Sequence, residues 1–442
     1  MSAAATAARR ETSQRYGKPY RPLVLATANR ALGWLQDVGL GSPDLSVGGL
    51  LAEARRRAGL WSFGDPTLPD RLRLLVDAVV AEARLHPLGR WMFRENTVRV
   101  LVNRLRMEDD WARHPEIASL PIVRPVFVAG LQRTGTTVLH RLLASDPARR
   151  CLPSWEAVNI APLPARRPGD GNGNGTGNGT GNGHRGATDR RLGTARFAER
   201  AVRFMAPDFF AIHPVEAEAP EEDVLLFEYA LWSTVPEAMM HVPSFSAWLE
   251  RQDHREAYRF YARVLRYLQW QRPGGPWVLK TPHHMEHLDA LLEVFPDARV
   301  LQTHRDPTKV LASFCSMMSH SRGVFSDRVD PREVGRHWFA KAARMIERST
   351  AVRDVERGGR FLDVHYGRLV ADPPAELRRV YEFLGDRLTP EAAAAMQGWL
   401  RANPQHKHGR HRYCLEDFGL ERAVVARAFA DYRARFAIPD EA

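Results

Sequence analysis

Pro125-Val-Phe-Val-Ala-Gly-Leu-Gln-Arg-Thr-Gly-Thr-Thr-Val-Leu-His-Arg-Leu-Leu-Ala144 decides the reading of this chain. Val126 to Ala129 form a short apolar run of the kind that makes a buried strand. Gly130 to Thr137 form a glycine-bounded loop, and the helical pattern that follows puts Leu139, Leu142 and Leu143 on one face. A strand, a glycine loop and a helix together aim backbone N–H groups and a helix N-terminus at a phosphate. Gly130 and Gly135 bracket four residues, the spacing of a P-loop. A nucleotide triphosphatase carries Lys directly after the second glycine. Here that position is Thr136, and the fixed cation is Arg133, inside the loop. The loop therefore suits a single phosphate and its leaving bond better than a magnesium-bridged triphosphate. The plainer alternative is a ligand-free strand–turn–helix of any doubly wound fold.

Outward from this stretch, strand and helix patterns alternate. Trp277-Val-Leu-Lys280 reads as a strand ending in Thr281-Pro-His-His284, with a helix over Met285 to Val294. Arg299 to Thr303 reads as a strand ending in His304-Arg-Asp-Pro307, with a helix over Thr308 to Met318. Phe361 to Tyr366 is a later strand, followed by a helix over Ala375 to Leu384. Such alternation predicts an α/β fold with a central parallel sheet flanked by helices. Ligands of these sheets sit beyond the carboxyl ends of the strands, so the three polar clusters should share one crevice.

The rest of the chain reads as support. Residues 1–20 are polar and predicted to be a disordered tail. Residues 21–120 carry helical periodicity in a first helix marked by Leu23 and Leu35, then over Val47 to Ala58, Arg71 to Leu85 and Phe93 to Met107. Residues 121–442 form the α/β domain. It is interrupted at 169–186 by a Gly/Asn-rich insertion that cannot bury apolar area and is expected to be a disordered loop. Arg190 to Phe204, Val224 to Leu231 and His254 to Gln271 read as further helices.

Of the 442 residues, 44% are hydrophobic and 26% charged, the make-up of a soluble globular protein. No apolar run approaches the ~18 residues of a membrane span. The first ten residues lack the apolar stretch of a signal peptide, so a cytoplasmic location is expected. Three cysteines imply no disulfide framework. The net charge of +11 suits a polyanionic ligand, but the basic residues are dispersed and no nucleic-acid-binding signature is present. Nucleic acid is therefore not expected as a partner.

Together these pieces resemble the PAPS-dependent sulfotransferases over roughly residues 121 to 420, and look most like their bacterial branch. The family resemblance implies transfer of a sulfuryl group from 3′-phosphoadenosine 5′-phosphosulfate (PAPS) to a hydroxyl or amine, leaving 3′,5′-ADP. It implies that Gly130, Gln132, Arg133, Thr134, Gly135, Thr136 and Thr137 hold the 5′-phosphosulfate, with Arg133 where cytosolic members have Lys. Arg305 and Ser313, eight residues apart, match the family's 3′-phosphate motif. Tyr366 resembles the residue near the adenine. In His406-Lys-His-Gly-Arg410, residues Lys407, Gly409 and Arg410 resemble the basic loop that also grips the 3′-phosphate, although His408 stands where a cation is expected. Lys280-Thr-Pro-His-His284 resembles the segment whose Lys touches the transferring group and whose His is the general base. Pro282 leaves either His283 or His284 for that place, with His284 preferred. Other branches use Glu, which keeps Glu216, Glu218, Glu221 and Glu222 in contention, with Glu222 preferred. No metal is required. A zinc site among His283, His284 and His287 lacks accompanying Cys or carboxylate ligands at matching spacing. The alternatives are a P-loop-type small-molecule kinase and a non-catalytic nucleotide-binding module. The aromatic and methionine content of Pro207 to Phe245 hints at an apolar acceptor. The oligomeric state, a homodimer included, is open.

Overall fold

The structure is a computed structural model and describes residues 21–163, 189–404 and 413–441. The expected tail at 1–20, the insertion at 169–186, and Lys407, Gly409 and Arg410 all lie outside the described residues.

Four strands form one sheet: β1 (Val126–Gly130), β2 (Val278–Lys280), β3 (Arg299–His304) and β4 (Phe361–His365). Every pairing is parallel and the spatial order is β2-β1-β3-β4. The register sets Val128 against Lys280, Gly130 against Thr303 and His304 against His365. All four carboxyl ends therefore lie along one edge. The chain leaves β1 toward both neighbours, which makes that edge the switch point of the sheet.

Alternation along β1 separates two cores, because successive side chains point to opposite faces. Phe127 and Ala129 join a large cluster that also holds Leu72, Leu101 and Leu105 of the N-terminal helices. Val126 and Val128 join a smaller one with Leu139, Leu142, Leu143 and Val380. Three of the N-terminal helices (Val47–Ala58, Leu68–Glu82 and Pro87–Arg113) thus share a core with one face of the sheet, while the helix Leu23–Asp37 buries no residue. They also reach toward the crevice. The buried Arg71 donates through Nε to the Ala230 carbonyl at 2.9 Å, and the buried Arg104 donates to the carbonyls of Phe63 (2.9 Å) and Tyr229 (3.2 Å). These bonds pin the turn after residues 222–228, where Leu231 takes a left-handed φ of 57°. That turn is why the predicted Val224 to Leu231 helix stops at Glu228.

Two other expectations differ from what is observed. The Phe93 to Met107 helix is the middle of a 27-residue helix that begins at Pro87. The Met285 to Val294 helix is broken: Pro282–Glu286 is a 3₁₀ turn, His287 interrupts it, and Leu288–Val294 is helical. Proline at the first position of the 3₁₀ turn lacks the N–H that a longer helix would bury.

Candidate active site

The loop after β1 is held by contacts that only its own residues can make. A Cβ at Gly130 would sit 2.1 Å from Thr303 Oγ1, and one at Gly135 would sit 2.9 Å from the Tyr366 ring. Gly135 also has a φ of 93°, which a residue with a side chain adopts only under strain. Between them the buried Thr134 hydroxyl donates to the Leu131 carbonyl (2.6 Å) and lies 2.5 Å from Thr303 Oγ1. Thr134 is therefore a brace of the loop. Arg133, at the exposed tip, takes a left-handed φ of 67°. For a non-glycine residue that geometry costs on the order of 1–3 kcal/mol. Thr136 and Thr137 open the helix Thr136–Leu143, whose first amides have no intrahelical acceptor.

Arg133 Nε donates to Ser313 Oγ at 3.1 Å, across 180 residues of sequence. Ser313 is buried in the helix Pro307–Gly323. Arg305, at the end of β3, donates to the Arg133 carbonyl at 3.4 Å and lies over the Tyr366 ring at 4.1 Å. Tyr366 in turn packs on Gly135. Arg133, Gly135, Arg305, Ser313 and Tyr366 thus form one continuous set beside the loop. A carboxylate already lies on it. Glu441 accepts from Arg305 Nε at 3.0 Å and from Nη2 at 2.8 Å, while its own N–H donates to Asp306 at 3.0 Å. The neighbouring His304 turns away from the crevice, to Asp363 and to the Tyr432 hydroxyl at 2.8 Å each.

At the end of β2, Lys280 Nζ meets Glu222 Oε1 at 2.6 Å, with Lys280 buried and Glu222 partly open. Thr281 Oγ1 lies 3.4 Å from the other oxygen of Glu222. The remaining glutamates are committed elsewhere. Glu216 pairs with Arg141 at 3.0 Å, Glu218 pairs with Arg196, and Glu221 accepts from the Glu222 N–H at 2.9 Å.

The preference for His284 as a base does not survive the geometry. Its ring is fully buried. The Tyr258 hydroxyl lies 2.7 Å from Nδ1, and Nε2 lies 3.0 Å from Asp223 Oδ2. Tyr261 also donates to that carboxylate oxygen, at 2.5 Å. Burial pushes the Asp223 carboxyl up, but the adjacent imidazole and these hydrogen bonds outweigh it and hold it below the usual range. Both nitrogens of His284 are therefore engaged in a buried brace beneath Glu222. His283 is also fully buried and belongs to a different cluster.

His213 went unrecognised as a site residue in the sequence. Burial pulls its imidazole below the ordinary histidine pKa, opposed by Glu221 and Glu222 and reinforced by Lys280 and Arg133. One half-buried histidine thus feels both halves of the crevice. Nothing in the local sequence marks it, because its neighbours come from three other segments.

With this geometry in view, comparison with known proteins is direct. The sequence profile described as "Sulfotransferase family" matches residues 125–390, and the chain belongs to that family. The fold is similar to that of sulfotransferase STF9 from Mycobacterium avium, with a TM-score of 0.77 and 28% identity, covering 90% of this chain and 98% of that one. It is also similar to sulfotransferase STF1 from Mycobacterium tuberculosis, with a TM-score of 0.70 and 33% identity, covering 87% and 98%. Among curated proteins, the omega-hydroxy-beta-dihydromenaquinone-9 sulfotransferase Stf3 of Mycobacterium bovis is 24% identical over 279 residues, 59% of this chain. The match spans 62% of that relative's length. No helix among the described residues is long and apolar enough to cross a membrane.

Proposed function

We propose that this chain transfers the sulfuryl group of PAPS to the hydroxyl of an apolar acceptor, releasing 3′,5′-ADP. The observation that carries the donor assignment is the convergence of Arg133, Ser313 and Arg305 on the glycine loop, with Tyr366 beneath Arg305. Two cations and a hydroxyl set at the end of adjacent strands suit a nucleotide with phosphates at both ends of its ribose. The loop amides and Arg133 would face the 5′-phosphosulfate, and Arg305 and Ser313 the 3′-phosphate. The glycine loop is held in shape from behind, because a Cβ at Gly130 would collide with Thr303 and one at Gly135 with Tyr366.

Sulfuryl transfer needs an in-line acceptor oxygen and stabilised charge on the leaving phosphate. Lys280 and Arg133 supply the positive charge. Glu222, hydrogen-bonded to Lys280 and partly open to the crevice, is the base that takes the acceptor's proton. General-base assistance of this kind is worth about 10²–10⁴ in rate. A second reading gives that role to His213, favoured by its position among Glu222, Lys280 and Arg133 and by its lowered pKa, which keeps it neutral and able to accept a proton near pH 7.

The acceptor side is apolar. A pocket is lined by Leu75, Phe93, Leu231, Met239, Met240 and Phe245, from the N-terminal helices and the segment after Glu222. Its lining fits a hydrocarbon-bearing alcohol, in keeping with the menaquinone-derived substrate in the name of one relative. A cytoplasmic location belongs to the same proposal.

Titration calorimetry with 3′,5′-ADP and with ATP–Mg tests the donor. The proposal expects 3′,5′-ADP to bind, ATP–Mg to be ignored, and Arg305→Ala to weaken binding by about 10- to 100-fold, the loss of charge-assisted hydrogen bonds worth about 1.5–3 kcal/mol. Preference for ATP–Mg would overturn it in favour of a kinase.

A further inference from the structure

At the 3₁₀ turn Pro282–Glu286 three histidines meet. His254 precedes the helix Arg255–Gln271, His283 lies in the turn Pro282–Glu286, and His287 breaks the chain before Leu288–Val294. One ring nitrogen from each lies within 4.8 Å of the other two, and all three side chains are buried. The rings of His254 and His287 stack with centroids 3.5 Å apart, and His283 lies 4.9 Å from His287.

Ordinary packing explains this poorly. Both nitrogens of His283 and Nδ1 of His254 are buried without a hydrogen-bond partner. Each such orphan costs about 1–3 kcal/mol. His254 Nε2 lies 3.0 Å from the Leu249 carbonyl, which can accept only from an N–H. That bond fixes the tautomer and leaves a lone pair on Nδ1. A backbone carbonyl holding the far nitrogen is the usual outer support of a metal-ligating histidine.

The charged groups around the cluster are paired with one another. Lys341 Nζ is clamped between Glu237 (2.5 Å) and Glu286 (3.1 Å), and Arg344 pairs with Glu286 (2.8 Å) and with Glu250. Three carboxylates thus face Lys341, Arg344 and Arg348 around the cluster.

We propose that His254, His283 and His287 form a buried site for a divalent transition metal, zinc by preference. Three imidazoles and a water make a tetrahedral zinc shell. With Zn–N bonds near 2.0–2.1 Å the ligand atoms must close to about 3.3 Å of one another, a side-chain rotation from the 4.8 Å spread. The ion would tie the helix Arg255–Gln271, whose Tyr258 and Tyr261 brace His284 and Asp223, to the turn that follows Lys280. The site stands apart from the sulfuryl-transfer chemistry and does not depend on it.

The test uses full-length protein without a polyhistidine tag, carrying H406A, H408A and H411A so that this histidine-rich segment cannot supply the metal. Elemental analysis after dialysis against a weak chelator should find about one zinc per chain. Cobalt substituted for it should give the visible absorption of a tetrahedral nitrogen-bound ion. Zinc added to the stripped protein should raise Tm by about 3 °C. His283→Gln and His254→Gln should each abolish zinc retention with circular dichroism unchanged. If either variant fails to fold, X-ray absorption on the parent protein decides by counting imidazole ligands, three being expected. Absence of zinc and cobalt binding, zinc retained in both folded variants, or fewer than three imidazoles in the shell would overturn the proposal.

Discussion

Glu441 lies where a phosphate is expected, and replacing it should tighten the nucleotide. Its carboxylate takes Arg305 through both Nε and Nη2, so a 3′-phosphate must first displace it. The two side chains are 25% and 31% exposed, which puts the pair among partly solvated ion pairs. Such pairs contribute about 0.2–1 kcal/mol, and the two-pronged geometry argues for the upper end. Removing the competitor with Glu441→Gln should therefore lower the Kd for 3′,5′-ADP by about fivefold, the equivalent of about 1 kcal/mol. The gain should shrink as salt rises from 0.05 to 0.5 M, because the exposed pair is screened. Adenosine 5′-monophosphate, which lacks the 3′-phosphate, is the control and should bind the variant and the parent equally. Calorimetry with both nucleotides separates the outcomes. Weaker binding of 3′,5′-ADP would mean that Glu441 aligns Arg305 instead of competing for it. An equal gain for both nucleotides would mean that the C-terminal segment obstructs the whole nucleotide. Either result refutes the reasoning.

Four further outcomes are expected. Glu222→Gln should cut kcat by about 10²–10⁴ with 3′,5′-ADP affinity within a fewfold of the parent, whereas a deeper loss in His213→Gln would move the base to His213; steady-state kinetics on an apolar alcohol decide. His284→Ala should act on stability, costing about 3–5 kcal/mol by stranding the buried Asp223 carboxylate, and a folded variant that lost only kcat, by chemical denaturation and turnover together, would contradict that role. Gly135→Ala should cost about 1–3 kcal/mol and displace Tyr366, read as a lower Tm and weakened 3′,5′-ADP binding. The fourth concerns acid. Burial, helped by Lys280, drives the His140 pKa down to about 3, so the native chain binds fewer protons there than the unfolded chain, whose histidine titrates near 6.5. Stability should therefore fall as pH drops below about 6.5, by roughly 2 kcal/mol at pH 5 from this group; the urea midpoint should drop less in His140→Gln, and an equal drop would exclude His140 as the source.

How much of this was legible depended on whether the cause of each feature was local. β1 and its helix were readable because a glycine pair, an apolar run and Leu139, Leu142 and Leu143 at helical spacing lie within twenty residues. Arg305 and Ser313 were readable because the short step from the end of β3 into the helix Pro307–Gly323 fixes their separation. The 25-residue helix Pro331–Val355 carried its own start signal, Asp330 before a proline, with the Arg332 N–H donating to that carboxylate at 2.9 Å. No motif of the site falls in it. Yet its Lys341 anchors Glu237 and Glu286. Other features had no local cause. The pairing of Lys280 with Glu222 spans 58 residues, and His213 joins the site only through folding. The latch on Arg305 comes from the far end of the chain.

The assignment that changed most, His284, shows how a single proline redirects a motif. In Lys280-Thr-Pro-His-His284 the strand ends at Lys280, and Pro282 starts a 3₁₀ turn capped by Thr281, whose hydroxyl accepts the His283 N–H at 3.3 Å. A turn that tight carries the next side chains inward instead of along the sheet edge. His283 and His284 therefore go beneath the crevice, and neither ring meets it. Lys280 stays at the strand end and meets Glu222, brought there because Asp223, its neighbour, bonds His284 from the other side. The two observations are one arrangement. The histidine that resembles a base is a buried strut beside the carboxylate proposed for that role, so changes at Glu222 and His284 should act on different quantities, turnover for the first and folding stability for the second.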